Sequence, residues 1–466
     1  MKIIDSKEFD LYWKNREAQG EDERTDAAVK KIISEVRANG DGAVHNYAAQ
    51  FDRSSPQELE IPLNAVQDAA DVLRKAEPAL AAALEFSANN IQRFSHKQRE
   101  QFADFEFEMA EGLFTGQRVI PVERAALYVP AGRFPLFSTV LMGLIPAFAA
   151  GVDEVLLVSP PMEDGLPDKK ILGAAGIAAA VANNKMPPKK MRVFAMGGAQ
   201  AIAALAIGTE TVPRVDIIAG PGNKYVAAAK RILFGETGID FIAGPSDVLV
   251  ISDGSASKAA TLAAADMIAQ AEHDPEACAR ALVPSAEFAE ALAAALEQQL
   301  KALPFKELPS SAIARSSLAS NGLIVVYHTM EDALRISNTI APEHLELHTG
   351  DSQSWVPLLK NYGSLFIGSL SAEVLGDYSA GINHTLPTSG SARFTGGLSV
   401  RHFLKTVTTL RAASGDGFVK ACSAARAIAE AEGLEAHALS ADLRLRACSE
   451  RGGTEMQRHG EKILYL

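Results

Sequence analysis

At 466 residues the chain is too long for one ordinary hydrophobic core, and at roughly 150 residues per domain it has room for about three folded units. Its composition, 47% hydrophobic and 22% charged, is that of a globular protein, and no apolar run reaches the ~20 residues of a membrane-spanning helix. A net charge of −12 without a basic block gives no electrostatic grip on nucleic acid or anionic lipid, so a small-molecule partner is expected.

The first residues, MKIIDSKEFDLYWKNREAQGEDERTD, lack the apolar core of an export signal. Cys278, Cys422 and Cys448 form neither a C-x-x-C pair nor an even set, which suits a reducing compartment, so a cytoplasmic protein is expected. Residues 1–115 read mostly as helix. The stretch TDAAVKKIISEVRANGDGAVHNYAAQF spaces apolar side chains by three and four, with an expected end near Gly40 and Gly42, and supports the first α/β domain.

From Arg124 the pattern changes. AALYVP, DEVLLVSP, RVFAMGG and RVDIIAGPG are expected strands, separated by the helical TVLMGLIPAFAAG, KKILGAAGIAAAVANN and AQAIAALAIG. Near-continuous apolar strands alternating with helices mean βαβ units on a parallel sheet, placing a Rossmann-like domain over 116–243. A second alternation, DVLVISD through GLIVVYH, places another over 244–376. Residues 377–466 begin loop-rich and end in helices, an arm suited to contact another subunit. The expected fold is α/β, two doubly wound Rossmann-like domains with helical N- and C-terminal additions.

Three motifs carry chemistry. IIAGPGNKYVAAAKRILFG runs from a strand through Gly-Pro-Gly into a helix, which brings backbone N–H groups to a strand's carboxyl end as an anion- or nucleotide-binding turn does. It departs from the dinucleotide fingerprint, because Asn223, Lys224 and Tyr225 stand where a third glycine would come, although an acid follows at Asp240; a tight structural turn reads equally well. Gln270 and His273, three apart on an expected helix, offer half of a metal site or a favourable helix-end charge. Further donors would come from Asp377, His384 or His437, a nitrogen and oxygen set that suits zinc. His45, His96, His402 and His459 read as solvated surface. Glu343 and His344 follow Pro342 at an expected helix restart or sharp turn, where adjacent residues approach one substrate from different angles as acid and base.

In combination these residues resemble the histidinol dehydrogenase family, from about residue 10 to about residue 445. The resemblance is carried by GPGNKYVAAAKRILFGETGIDFIAGPSDVLVISD and, in order, QAEH, APEHLEL, GDYSAGINHTLPT, GGLSV and EGLEAH. It implies the oxidation of L-histidinol through the aldehyde to L-histidine with two NAD and a bound zinc, by a homodimer with shared active sites. Position by position it implies zinc on Gln270, His273, Asp377 and His437, the last reaching into the other subunit's site. It implies acid/base roles for Glu343 and His344, NAD contacts at Tyr128, Gln200 and Asn223, and substrate contacts at Ser246, Glu432, His344 and the metal-site residues.

The sequence departs from the family at Asp247, where Glu is commoner, at Ala131, where glycine is, and in ALSADLRLR after His437. A tail, ACSERGGTEMQRHGEKILYL, extends past the usual end. Two alternatives follow: a paralogue that oxidises another small polar alcohol such as sulfopropanediol, or a non-catalytic metal- or nucleotide-binding protein on the same scaffold. Glu432 favours an amine-bearing substrate over a sulfonate.

Overall fold

The computed structural model describes residues 1–16, 23–131, 135–183, 190–256, 258–302 and 304–451. In chain order its strands are β1 (Lys2–Asp5), β2 (Glu60–Ile61), β3 (Phe105–Ala110), β4 (Leu113–Pro121), β5 (Arg124–Tyr128), β6 (Glu154–Ser159), β7 (Lys190–Ala195), β8 (Ile217–Ala219), β9 (Gly238–Ile239), β10 (Asp247–Ser252), β11 (Cys278–Val283), β12 (Leu323–Val326), β13 (His344–His348), β14 (Ser364–Ile367) and β15 (Leu404–Ala412).

Two six-stranded sheets form the body, in the orders β2-β7-β6-β5-β8-β9 and β1-β12-β11-β10-β13-β14. Every pairing in them is parallel apart from β2 with β7. The α/β fold expected from the alternating pattern is therefore present twice. Each sheet grows outward through three strands, β5-β6-β7 or β10-β11-β12, and then resumes beside the first of them. That reversal opens a crevice between β5 and β8 in one sheet and between β10 and β13 in the other. β6 and β10 are buried along their whole length, as strands covered by helices on both faces must be.

The long N-terminal helix, Glu23–Phe51, does not end at the expected glycines. Gly40 takes φ 52° and ψ −133°, so the helix bends there and continues. Only glycine tolerates that conformation at low cost, and a Cβ would also collide with the Glu210 carboxylate, which accepts the Asp41 N–H at 2.8 Å. Val44, Tyr47 and Ala48 beyond the bend are still buried in the first domain's core.

Residues 100–120 and 404–451 form a separate compact unit, a three-stranded sheet ordered β15-β4-β3 with the helices Asp416–Ala431 and Glu435–Arg451. Arg411 ties β15 to β3 through Glu106 at 2.5 Å.

Two edges of the body matter for function. Tyr128, Gly197–Gln200 and Gly220–Asn223 follow the ends of β5, β7 and β8, on the carboxyl edge of the first sheet. Ser246, Asp247, Glu343 and His344 lie at the starts of β10 and β13, on the amino edge of the second. Residues 240–246 join these edges, and seven extended residues reach at most about 25 Å. His384 bridges them directly: Nδ1 is 2.9 Å from the Asp377 carbonyl and Nε2 is 3.2 Å from the hydroxyl of Thr139, which opens the helix after β5.

The Gly-Pro-Gly turn rests on a buried ion pair. Lys230 Nζ donates to the Gly220 carbonyl at 2.9 Å and to Asp240, whose Oδ2 accepts the Gly220 N–H at 2.8 Å. Gly220 has φ 109°, and a Cβ there would strike the Tyr128 carbonyl. Lys230→Met leaves Asp240 buried without its cation, and urea denaturation should show about 3–5 kcal/mol of lost stability. Adding Asp240→Asn should recover part of it, and an undiminished midpoint in the single variant would contradict the turn's dependence on this pair.

Candidate active site

The sequence HLELH makes β13 two-faced. Leu345 and Leu347 point into the second domain's apolar core with Leu249 and Ile251, and each fully buried leucine contributes roughly 1.5–3 kcal/mol. His344, Glu346 and His348 share the opposite face. Period-two alternation thus overrides the helix restart expected at Pro342. The preceding helix ends at Ala341 in a left-handed conformation, φ 52°, and His344 opens a strand hydrogen-bonded between β10 and β14.

Two helices close over that polar face. Ala259–Ala271 contributes Asp266 and Gln270, four residues apart, and Glu373–Tyr378 contributes Glu373 and Asp377, again four apart. His273 lies just past the first helix, its N–H directed at the Gln270 carbonyl at 3.4 Å, so it is a post-helical residue and not a helical one. Donor atoms of His273, Glu373 and Asp377 lie within 4.8 Å of one another. The Gln270 amide, fully buried, lies against Glu373, with its nitrogen toward that carboxylate and its oxygen 3.1 Å from the Asp247 N–H.

His344 sits at the centre. Its Nδ1 is 3.7 Å from Glu373 and 3.9 Å from Glu343, and its Nε2 is 3.7 Å from Asp377. These distances exceed hydrogen bonds, and neither ring nitrogen has a hydrogen-bond partner although the residue is 4% exposed. Burial, then the neighbouring His273 and His384, drop the imidazole to about 3, so it is neutral. A neutral imidazole with a free lone pair, enclosed among carboxylates, is a base without a proton to abstract.

The carboxylates are displaced the other way. Burial followed by the charge of Glu346 lifts Asp377 to about 7. Burial, then Asp377 and Glu346, pushes Glu373 well above the carboxylate range. Burial and Asp247 do the same to Glu343. A divalent cation would relieve all three, and one imidazole, two carboxylates and an amide, with no thiolate, form a donor set that suits zinc. The crowded acids beside His273 therefore fit a metal here.

Glu343 is fixed by reciprocal bonds: Oε2 accepts the Asp247 N–H and its own N–H donates to Asp247 Oδ1, both at 2.9 Å. The neighbouring Ser246 side chain acts against burial, lowering the Glu343 carboxyl. Asp247 is in turn paired with Arg280 at 2.5 Å. Asp247 thus orients Glu343.

On the other edge, Tyr128 is buried and its hydroxyl accepts the Gly198 N–H at 3.2 Å. Buried Gln200 lies in the first turn of the helix Gly198–Ile207. Asn223 caps the helix after β8, its Oδ1 accepting from Tyr225 and Val226 at 3.0 and 3.2 Å, which leaves its amide nitrogen pointing outward as a donor. Glu432 and His437 belong to the second compact unit, at the end of one of its helices and near the start of the next, and both are exposed in the single chain.

Some expectations need correction. His384, a candidate ligand, has both ring nitrogens engaged in the bridge described above. His45, His96 and His402 are only partly exposed, with His402 accepting the Ser399 N–H, while His459 lies outside the described residues. Sequence reading also passed over Glu373 and the Asp266, Glu346 and His348 trio beneath it, whose donor atoms again lie within 4.8 Å. The signals were present in the four-residue spacing of Glu373 with Asp377 and the alternation of HLELH.

The sequence model for the histidinol dehydrogenase family matches residues 15–445. A histidinol dehydrogenase of Aquifex aeolicus (strain VF5) is 43% identical over 425 residues, 91% of this chain and 93% of that protein. One of Nitrosospira multiformis is 42% identical over 427 residues, 91% and 92% of the two chains. The crystal structure of histidinol dehydrogenase from Elizabethkingia anophelis superposes with a TM-score of 0.82 at 33% identity, covering 92% of this chain and 94% of that one. Carrying the same ordered motifs across nearly its full length on the same fold, the chain belongs to the histidinol dehydrogenase family.

Proposed function

We propose that the chain oxidises L-histidinol through the aldehyde to L-histidine, the last oxidations of histidine biosynthesis, using zinc and two NAD in turn. The observation that carries this reading is a neutral, unbonded His344 set 3.7 Å from Glu373 and Asp377 within a buried group of metal-type donors. Gln270, His273 and Asp377 hold the metal, and His437 from a second copy completes the set; the exposure of His437 and Glu432 in the single chain supports a homodimer with shared sites. Three free cysteines support a reducing, cytoplasmic setting.

Zinc, when bound, supplies a Lewis acid that orients the substrate and polarises its carbinol oxygen. NAD supplies the hydride acceptor. The remaining work falls to side chains. His344 removes the hydroxyl proton as the carbinol carbon gives up its hydride. Glu343, held by Asp247 and raised above the ordinary carboxylate range by burial, assists water in adding to the aldehyde before the second hydride leaves. Ser246 steadies both Glu343 and the substrate. Glu432 faces the substrate's ammonium, and Tyr128, Gln200 and Asn223 contact NAD across the first sheet's carboxyl edge.

NADH formation from L-histidinol should require zinc-loaded protein, vanish with a chelator and return on adding zinc. No turnover by the zinc-loaded protein, or turnover of a sulfonated diol in its place, would overturn the assignment. His344→Gln should lower kcat by about 10²–10⁴ while zinc content stays at the wild-type level, whereas His273→Asn should lose the metal itself. Equal zinc content in the two variants would contradict the division between a residue that moves protons and one that ligates.

A further inference from the structure

In doubly wound dinucleotide folds an acid near the end of the second strand accepts the ribose hydroxyls. This chain has no such residue where the pattern would put it. Asp240, the acid about twenty residues beyond the Gly-Pro-Gly turn, is buried against Lys230 and Gly220. The second strand of the series, β6, ends in Ser159 and Pro160, neither of them acidic.

A carboxylate reaches that place from another part of the chain. Asp52, one residue past the helix Glu23–Phe51, lies against the loop after β7: its Oδ2 accepts the Gly197 N–H at 3.2 Å and lies 3.4 Å from Gln200 Nε2. A Cβ at Gly197 would collide with Asp52 Oδ1 and come within 3.0 Å of Pro160, so the carboxylate sits beside the end of β6. Gly198, the next residue, donates to the Tyr128 hydroxyl. Among the described residues Asp52 has no ion-pair partner, and its Oδ1 accepts no hydrogen bond; the residue is only partly buried.

We infer that Asp52 is the ribose-recognising acid of the nucleotide site, with Oδ1 accepting a ribose hydroxyl of NAD and its charge excluding the 2′-phosphate of NADP. This rests on the proposed use of NAD. The two Oδ2 bonds fix the carboxylate against the start of the helix Gly198–Ile207, which carries Gln200, and leave the second oxygen for the ligand. Among the described residues no cation is paired with Asp52 to receive a phosphate instead.

The test is calorimetric titration of NAD and of NADP into zinc-loaded wild-type protein and Asp52→Asn, which needs no turnover. Asn keeps an oxygen for the Gly197 N–H. Wild type should bind NAD at least about tenfold more tightly than NADP; Asp52→Asn should bind NAD about tenfold more weakly, with NADP unchanged or tighter. Equal weakening of both nucleotides would assign Asp52 a purely structural role, and unaltered NAD affinity would remove it from the site; either result overturns the inference. Asp52→Glu, which keeps the charge, should retain the preference for NAD. Absence of NAD binding by wild type would fell the nucleotide reading itself, and is distinguishable from failure of the Asp52 assignment alone.

Discussion

Carboxylates do not gather in a protein interior unless positive charge or shared protons offset their lost hydration. Along one face of β13 this chain collects Glu343, Glu346, Glu373, Asp377 and Asp266, all raised or crowded, around an imidazole that burial keeps neutral. Arg280, the one buried arginine among the described residues, is committed to Asp247. A bound divalent cation would offset that charge imbalance, and the two helices over the site, with His273 just past the first, present donors to it. The same cation requirement explains why a base with two unbonded nitrogens can stand there: its partners arrive with metal and substrate.

The scaffold separates tasks by sheet edge. Ion pairs engaged with backbone, Lys230 with Asp240 and Arg280 with Asp247, fix the loops at the two edges. The first sheet offers glycine turns and helix starts at its carboxyl edge, the arrangement suited to a nucleotide. The second offers its amino edge, where one helix ends and a strand begins. The His384 bridge and the seven-residue link at 240–246 keep the two edges together, as hydride transfer between a held alcohol and a held nicotinamide requires.

Much of this was legible in the sequence because local pattern and tertiary demand agree. The buried strands and their helices fall where apolar runs alternate, and QAEH with APEHLEL marks the residues that meet. Other features were illegible for physical reasons. Gly40 reads as a helix stop, yet its positive φ permits a bend that keeps the second half of the helix in the core. Pro342 suggests a helix start, while His344–His348 obeys the two-residue period of a strand. The pairing of residues 105–121 with the region of 404–412 is set by contacts some three hundred residues apart that no local window records. Glu373 was overlooked because a single glutamate in AEVLGDY has no meaning until the helix turns it beside Asp377. Asp52 is similar, a chain-distant acid standing where a local motif would have carried its own.

The central claim is that the acids over β13 exist to hold one metal ion beside His344. Its most direct test is a crystal structure of the zinc-loaded protein with diffraction recorded across the zinc absorption edge. A single anomalous peak within about 2.0–2.3 Å of Gln270, His273 and Asp377, with His344 outside that shell, is the predicted result. A peak bonded to His344, or no peak among these residues in zinc-loaded protein, would contradict it.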